Sequence, residues 1–188
     1  MDPRSKWNSK YKERLNSFDV PEANARLKNL SHNLKGGAAL DIACGLGANS
    51  VFLSQLGYHV EAFDISDVAV NHVNELTIKH QLSVSPRLCD LTDWRNLNVN
   101  ENSVDLVVIT YYLDRSIFPF IKSCIRENGY FFMETFYRSP QTEQQNVSDQ
   151  YKLRSKELLA EFSDWQVLYY EENEREGRQT IFARKTKS

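Results

Sequence analysis

The chain has few cysteines for its 188 residues: Cys44, Cys89 and Cys124, far apart in sequence. There is no CxxC and no Cys/His pair at metal-ligand spacing, which argues against a disulfide framework and against a zinc site. No apolar run is long enough to cross a bilayer, and nothing near the start reads as a signal peptide, so the expected compartment is the cytoplasm. Strong charge of either sign is also missing. A formal net charge of −2 creates no overall field that would draw nucleic acid or an anionic membrane, and neither is an expected partner. His32, His59, His72 and His80 form no constellation, and internal repeats and low-complexity linkers are absent.

What is present suffices for one good core. With 41% hydrophobic residues in 188, a single domain spanning 1–188 is expected, as a monomer or homodimer. The first 35 residues are locally basic, with Arg4, Lys6, Lys10, Lys12, Arg14, Arg26, Lys28 and Lys35 against four acids; such runs usually form a solvated helix face. Residues 3–16 fit a helix with Trp7, Tyr11 and Leu15 recurring every four residues on one side. The chain restarts at Asp19-Val20-Pro21, and Pro21-Glu22 suit the first turn of a second helix carrying Ala23, Leu27, Leu30 and Leu34.

An alternation of strand and helix follows. Strands are expected at 38–42, 59–63, 84–88, 104–110 and 130–135, and helices at 49–56, after Ser66, and around 117–125. Continuously apolar strands separated by such helices describe a parallel sheet covered on both faces. A polar loop over 138–150 and a helix near 155–162 precede two strand-like runs, 165–170 and 179–183. The acidic turn 171–177 makes these a hairpin, so the sheet should end antiparallel.

Asp41-Ile42-Ala43-Cys44-Gly45-Leu46-Gly47 lies where the first strand meets its helix. A side chain at Gly45 or Gly47 would keep a ligand off the backbone there, so the loop is read as a binding loop at a topological switch point. Asp41 discriminates between ligands. A nicotinamide dinucleotide would set its pyrophosphate against this helix start, and a carboxylate directly below would repel it. S-adenosylmethionine instead brings an ammonium and a sulfonium. Asp64, ending the second strand, stands where doubly wound folds put a carboxylate on two ribose hydroxyls, and Ile65 can pack on adenine. Asp90, followed by Leu91, comes after the third strand and can accept from the adenine amine, whereas Asp93 reads as a helix cap.

These residues carry a resemblance. Residues 37–135 resemble the class I S-adenosylmethionine-dependent methyltransferases, and Leu40 to Gly47 is close to their first motif, departing at Ala43 where glycine is more usual. The resemblance implies an α/β, Rossmann-like doubly wound sheet of seven mostly parallel strands, in the order 3-2-1-4-5-7-6. It also implies S-adenosylmethionine as cofactor, with its methionine beside Gly45 and Gly47, its ribose on Asp64 and its adenine on Asp90. Three segments resemble more narrowly a bacterial subgroup of tellurite-resistance and thiopurine-methyltransferase-like proteins: Trp7 to Tyr11 with Pro21-Glu22; Leu113 to Pro119; and Glu134-Thr135-Phe136 with Leu153 to Leu159.

In-line methyl transfer asks the protein mainly to align donor and acceptor and exclude water. The residues after the fourth strand normally face the methyl group, and here they read Thr110-Tyr111-Tyr112-Leu113-Asp114-Arg115. The Asn-Pro-Pro-Tyr signature of nucleic-acid and glutamine N-methyltransferases is absent, so a small, apolar or soft acceptor is expected. RNA, protein, or a purely cofactor-binding role are the alternatives. Tyr111 and Arg115 are the expected catalytic residues, with Trp7, Tyr11 and Tyr112 binding the acceptor and Glu134 a further polar candidate. The N-terminal helix is expected to act as a lid or as structural packing.

Overall fold

The computed structural model describes residues 2–17, 21–139, 141 and 147–187. Asp19 and Val20, at the expected restart of the chain, lie outside the described residues, as does part of the polar loop over 138–150. The chain groups into two compact units, Met1–Asn98 and Val99–Ser188.

In the first unit, α1 (Pro3–Asn16) starts where Asp2 caps the backbone N–H of Ser5 and Pro3 takes the first helical position. The second helix, α2 (Ala25–Leu30), begins later than Pro21. The Asn24 side chain accepts from both Arg26 N and Leu27 N, and so sets the start. Strand β1 (Gly37–Ile42) leads into α3 (Ala48–Gln55), β2 (Tyr58–Asp64), α4 (Asp67–His80) and β3 (Val84–Leu88). Ser66 caps α4 through Ala69 N, as its position suggested. β1 pairs with β2 and β2 with β3, all parallel. Leu40, Ile42, Leu53, Ala62 and Val73 are fully buried around these strands.

In the second unit, β4 (Val104–Thr110) and β5 (Ile125–Phe136) pair in parallel with α5 (Phe118–Cys124) between them. β5 begins five residues ahead of the strand expected over 130–135. Ile125 is fully buried opposite Val104, and pairing resumes at Leu106 and Tyr130 after residues 126–128 loop outward. Helix α6 (Glu157–Glu161) is shorter than expected because Lys156, directly before it, holds a left-handed backbone with φ of 59°. The hairpin forms from β6 (Gln166–Asn173) and β7 (Arg178–Arg184), with β7 antiparallel to both β5 and β6. Its turn is tighter than 171–177, since Glu171 to Asn173 pair with Thr180 to Arg178.

The seven strands run in the order β3-β2-β1-β4-β5-β7-β6, as the resemblance implied.

Candidate functional site

The carboxyl ends of β1 and β2 carry two buried aspartates. Asp41 is 1% exposed. One of its oxygens accepts from the Ser50 hydroxyl at 2.6 Å, and the other is buried with no hydrogen-bond partner. Burial without a full set of donors favours the neutral acid, and the carboxyl is pushed up to about 7. Asp64, 3% exposed, accepts from Gly45 N and from Ser66 N, each at 2.9 Å. Burial still raises its pKa, against those two amides. Two buried carboxyl groups held this way, one with an unfilled acceptor position, suit a cation, which would favour their ionised form, and hydroxyl donors.

The loop between them turns on positive backbone angles: Ala43 at 57°, Gly45 at 56° and Gly47 at 82°. The two glycines answer to different neighbours. A Cβ on Gly45 would stand 3.1 Å from the Tyr11 hydroxyl and 3.5 Å from its ring. A Cβ on Gly47 would strike Val73 Cγ2 at 2.6 Å, so the packing of α4 requires glycine at this position. Ala43 sits in the conformation that glycine adopts without strain, the physical reason glycine is the more usual residue there.

Further along, Ile65 is half-buried between Asp64 and the cap of α4, and Leu91 is 5% exposed. Asp90 is exposed, and its Oδ1 accepts from Thr92 N at 3.0 Å and the Thr92 hydroxyl at 2.7 Å. The cap of the short 3-10 segment 91–97 is therefore Asp90 and not Asp93, which accepts from Asn96.

Tyr11 belongs to this same neighbourhood. It is 6% exposed and clusters with Leu46 and Ala69, with Trp7 stacked on it at 5.5 Å between ring centroids. Its hydroxyl lies 3.5 Å from Asp64 Oδ2. Two polar residues pin α1 beside it: Arg4 and Asn8 both donate to Asp67, and Asn8 accepts from Ser66. The fourfold spacing pointed to a packed face but could not say against what. Trp7 and Tyr11 were expected to bind the acceptor; Tyr11 lies against the glycine loop and the second-strand aspartate, with Trp7 stacked upon it.

In the second unit, Thr110 and Tyr112 are half-buried, and Tyr111 is 48% exposed with a φ of 58°. The Tyr111 hydroxyl donates to Glu134 Oε1 at 3.0 Å, and Thr180 donates to the other oxygen at 2.9 Å. Glu134 is only 2% exposed. Arg178 lies over Phe136 at 3.9 Å and over Tyr111 at 5.0 Å, and its buried Nη1 has no hydrogen-bond partner. Burial and the Glu134 carboxylate raise the Tyr111 phenol, against the opposing pull of Arg178. Sequence reasoning did not single out Arg178, because only the β5–β7 pairing of Phe136 with Arg178 brings it here.

Arg115 is placed otherwise than expected. Its guanidinium grips both Glu157 oxygens, at 2.6 and 3.0 Å, and the carbonyls of Gln150 and Lys152. It fastens the segment ahead of α6 through these bonds, whereas it was expected among the catalytic residues. Among the described residues no His/Cys/Asp/Glu group could hold a metal ion.

A family model described as tellurite resistance protein TehB matches residues 7–182. A probable S-adenosyl-L-methionine-dependent methyltransferase TehB of Haemophilus influenzae is 28% identical over 137 residues, covering 71% of this chain and 48% of that protein. The chain thus spans about half the length of the curated relatives it matches. The crystal structure of TehB from Haemophilus influenzae superposes with a TM-score of 0.77 at 24% identity, over 96% of this chain and 67% of that one. Geranyl diphosphate C-methyltransferase of Streptomyces coelicolor, solved with S-adenosyl-L-homocysteine, gives 0.70 at 16% identity, over 98% and 88%.

Proposed function

Since the chain belongs to the TehB family, we propose that it is an S-adenosylmethionine-dependent methyltransferase acting on a small, soft acceptor. The observation that carries the cofactor reading is the pair of buried aspartates. The unpartnered Asp41 oxygen lacks a donor, and the cofactor's methionine end is cationic. Its ribose hydroxyls match Asp64, whose neighbouring loop amides hold the carboxylate in place. Asp90 and Leu91 remain the candidates for adenine. A pyrophosphate would meet two carboxylates and gain nothing comparable. When bound, the cofactor supplies an electrophilic methyl on sulfur; this chain's residues bind and orient it and exclude water.

The acceptor side rests on Tyr111, Glu134 and Arg178. Glu134 accepts from the Tyr111 hydroxyl, and the buried Nη1 of Arg178 has a donor to spare. A chalcogen oxyanion or a thiolate fits a guanidinium flanked by polarisable rings, and such a nucleophile needs no general base. The name carried by the family, tellurite resistance, points to the same class.

The test has two arms. Calorimetry should show micromolar binding of S-adenosylmethionine or S-adenosylhomocysteine, on the order of 8 kcal/mol, and none of NAD. Radiolabelled cofactor should then pass its methyl group to tellurite, selenite or a thiol, and not to total RNA. Binding of NAD alone refutes the cofactor reading; label found in RNA or protein refutes the acceptor.

A further inference from the structure

Tyr11 occupies space that a ligand on the glycine loop would need. An atom bound above Gly45 must keep about 3.5 Å from the backbone below and a similar distance from whatever lies above. The Tyr11 hydroxyl and ring instead come within 3.1–3.5 Å of the position a single added methyl would take on Gly45. No chain of ligand atoms fits between them. The same hydroxyl points at Asp64 Oδ2, the oxygen proposed to receive a ribose hydroxyl. The phenol thus fills the space over Gly45 and reaches the carboxylate proposed for the ribose.

We propose that α1 is an autoinhibitory plug, in which Tyr11 mimics the ribose hydroxyl on Asp64 and must be displaced for S-adenosylmethionine to bind. The inference rests on the cofactor reading above. The helix is built to leave. Tyr11 is its one buried residue, and among the described residues α1 is held mainly by Tyr11, the half-buried Trp7, and the bonds of Arg4 and Asn8 to the start of α4. Elements with so few buried contacts open at low free-energy cost. The wild-type affinity is then the intrinsic affinity reduced by the fraction of molecules unplugged; if one molecule in ten is open, the apparent Kd rises about tenfold. This reverses the order expected of a lid, in which the ligand recruits the helix.

Stopped-flow and calorimetric titration of the full chain with S-adenosylhomocysteine decide the matter. Tyr11→Ala should bind faster and about tenfold more tightly than wild type. Asn8→Ala, which loosens the helix without touching the loop, should shift in the same direction and covers the case where Tyr11→Ala fails to fold. In wild type, hydrogen exchange at the amides of residues 3–16 should speed up when the ligand is added. Unchanged or weaker binding in both variants, or greater protection of α1 with ligand, overturns the plug and makes Tyr11 a cofactor contact. If neither wild type nor variants bind, the cofactor reading itself has failed. Binding by wild type with the wrong response in the variants sinks the plug alone.

Discussion

Asp41 shows how one residue can be set against the stability of its own fold. Its 1% exposure and unpartnered oxygen are costs the apo protein bears, and they matter only if a cation arrives. Asp41→Asn should therefore raise the melting temperature at pH 8, where the wild-type side chain is ionised, while weakening S-adenosylmethionine binding. A variant less stable than wild type at that pH would show that the unpartnered oxygen has a donor in solution. Ala43 is a smaller case of the same kind, a Cβ held at a φ of 57°. Ala43→Gly should stabilise the protein by about 1 kcal/mol in urea unfolding, because relief of left-handed strain exceeds the added chain entropy. Asp41 and Asp64 were legible in the sequence because a carboxylate at a strand end has few other uses. Arg178 was not, and neither was the partner of Tyr11, since the contacts span 42 and 53 residues.

At the scale of elements, the glycine loop joins local geometry to helix packing. The Val73 side chain of α4 fills the place a Cβ on Gly47 would take, so the spacing of α3 and α4 depends on a hydrogen atom at that position. Gly47→Ala should cost on the order of 2–4 kcal/mol, from the clash and from a φ of 82° together. Adding Val73→Ala should recover at least about 1 kcal/mol relative to the sum of the two single changes. Strict additivity in a double-mutant cycle would show that the helices already move apart. Helix caps explain where expected boundaries held and where they slipped. Ser66 was visible as a cap because it directly precedes an apolar pattern, whereas Asn24 was hidden behind Pro21-Glu22, a better start signal by local rules. Ile125 joined β5 for a tertiary reason, its burial opposite Val104.

For the whole molecule, the buried carboxylates link folding to pH. Asp41 titrates near 7 when folded and near the ordinary 3.8 when unfolded, so between those values the native state holds the extra proton. The sign follows: that group's contribution is fully present below about pH 4 and is lost as pH rises toward 7, by about 1.4 kcal/mol per pH unit at most. Asp64, also raised, acts in the same direction. Denaturant unfolding of the apo protein should show this group's contribution in a comparison with Asp41→Asn, which should flatten the fall between pH 5 and 7. Because a cation favours the ionised carboxylate, binding of S-adenosylmethionine at pH 6 should release a proton, detected as a buffer-dependent heat. The same slope in wild type and Asp41→Asn would remove Asp41 from the account. The sequence by itself determined the alternation of strand and helix, the hairpin that closes the sheet and the two strand-end aspartates. Each of these follows from local periodicity, turn chemistry or the position of a charge at a strand end. Tertiary structure alone decided that Tyr11 meets the glycine loop, that Gly47 answers to Val73, that Arg178 lies over Tyr111 and that Arg115 is a tether. Those contacts join residues dozens of positions apart, and only packing selects which distant side chain fills a given space.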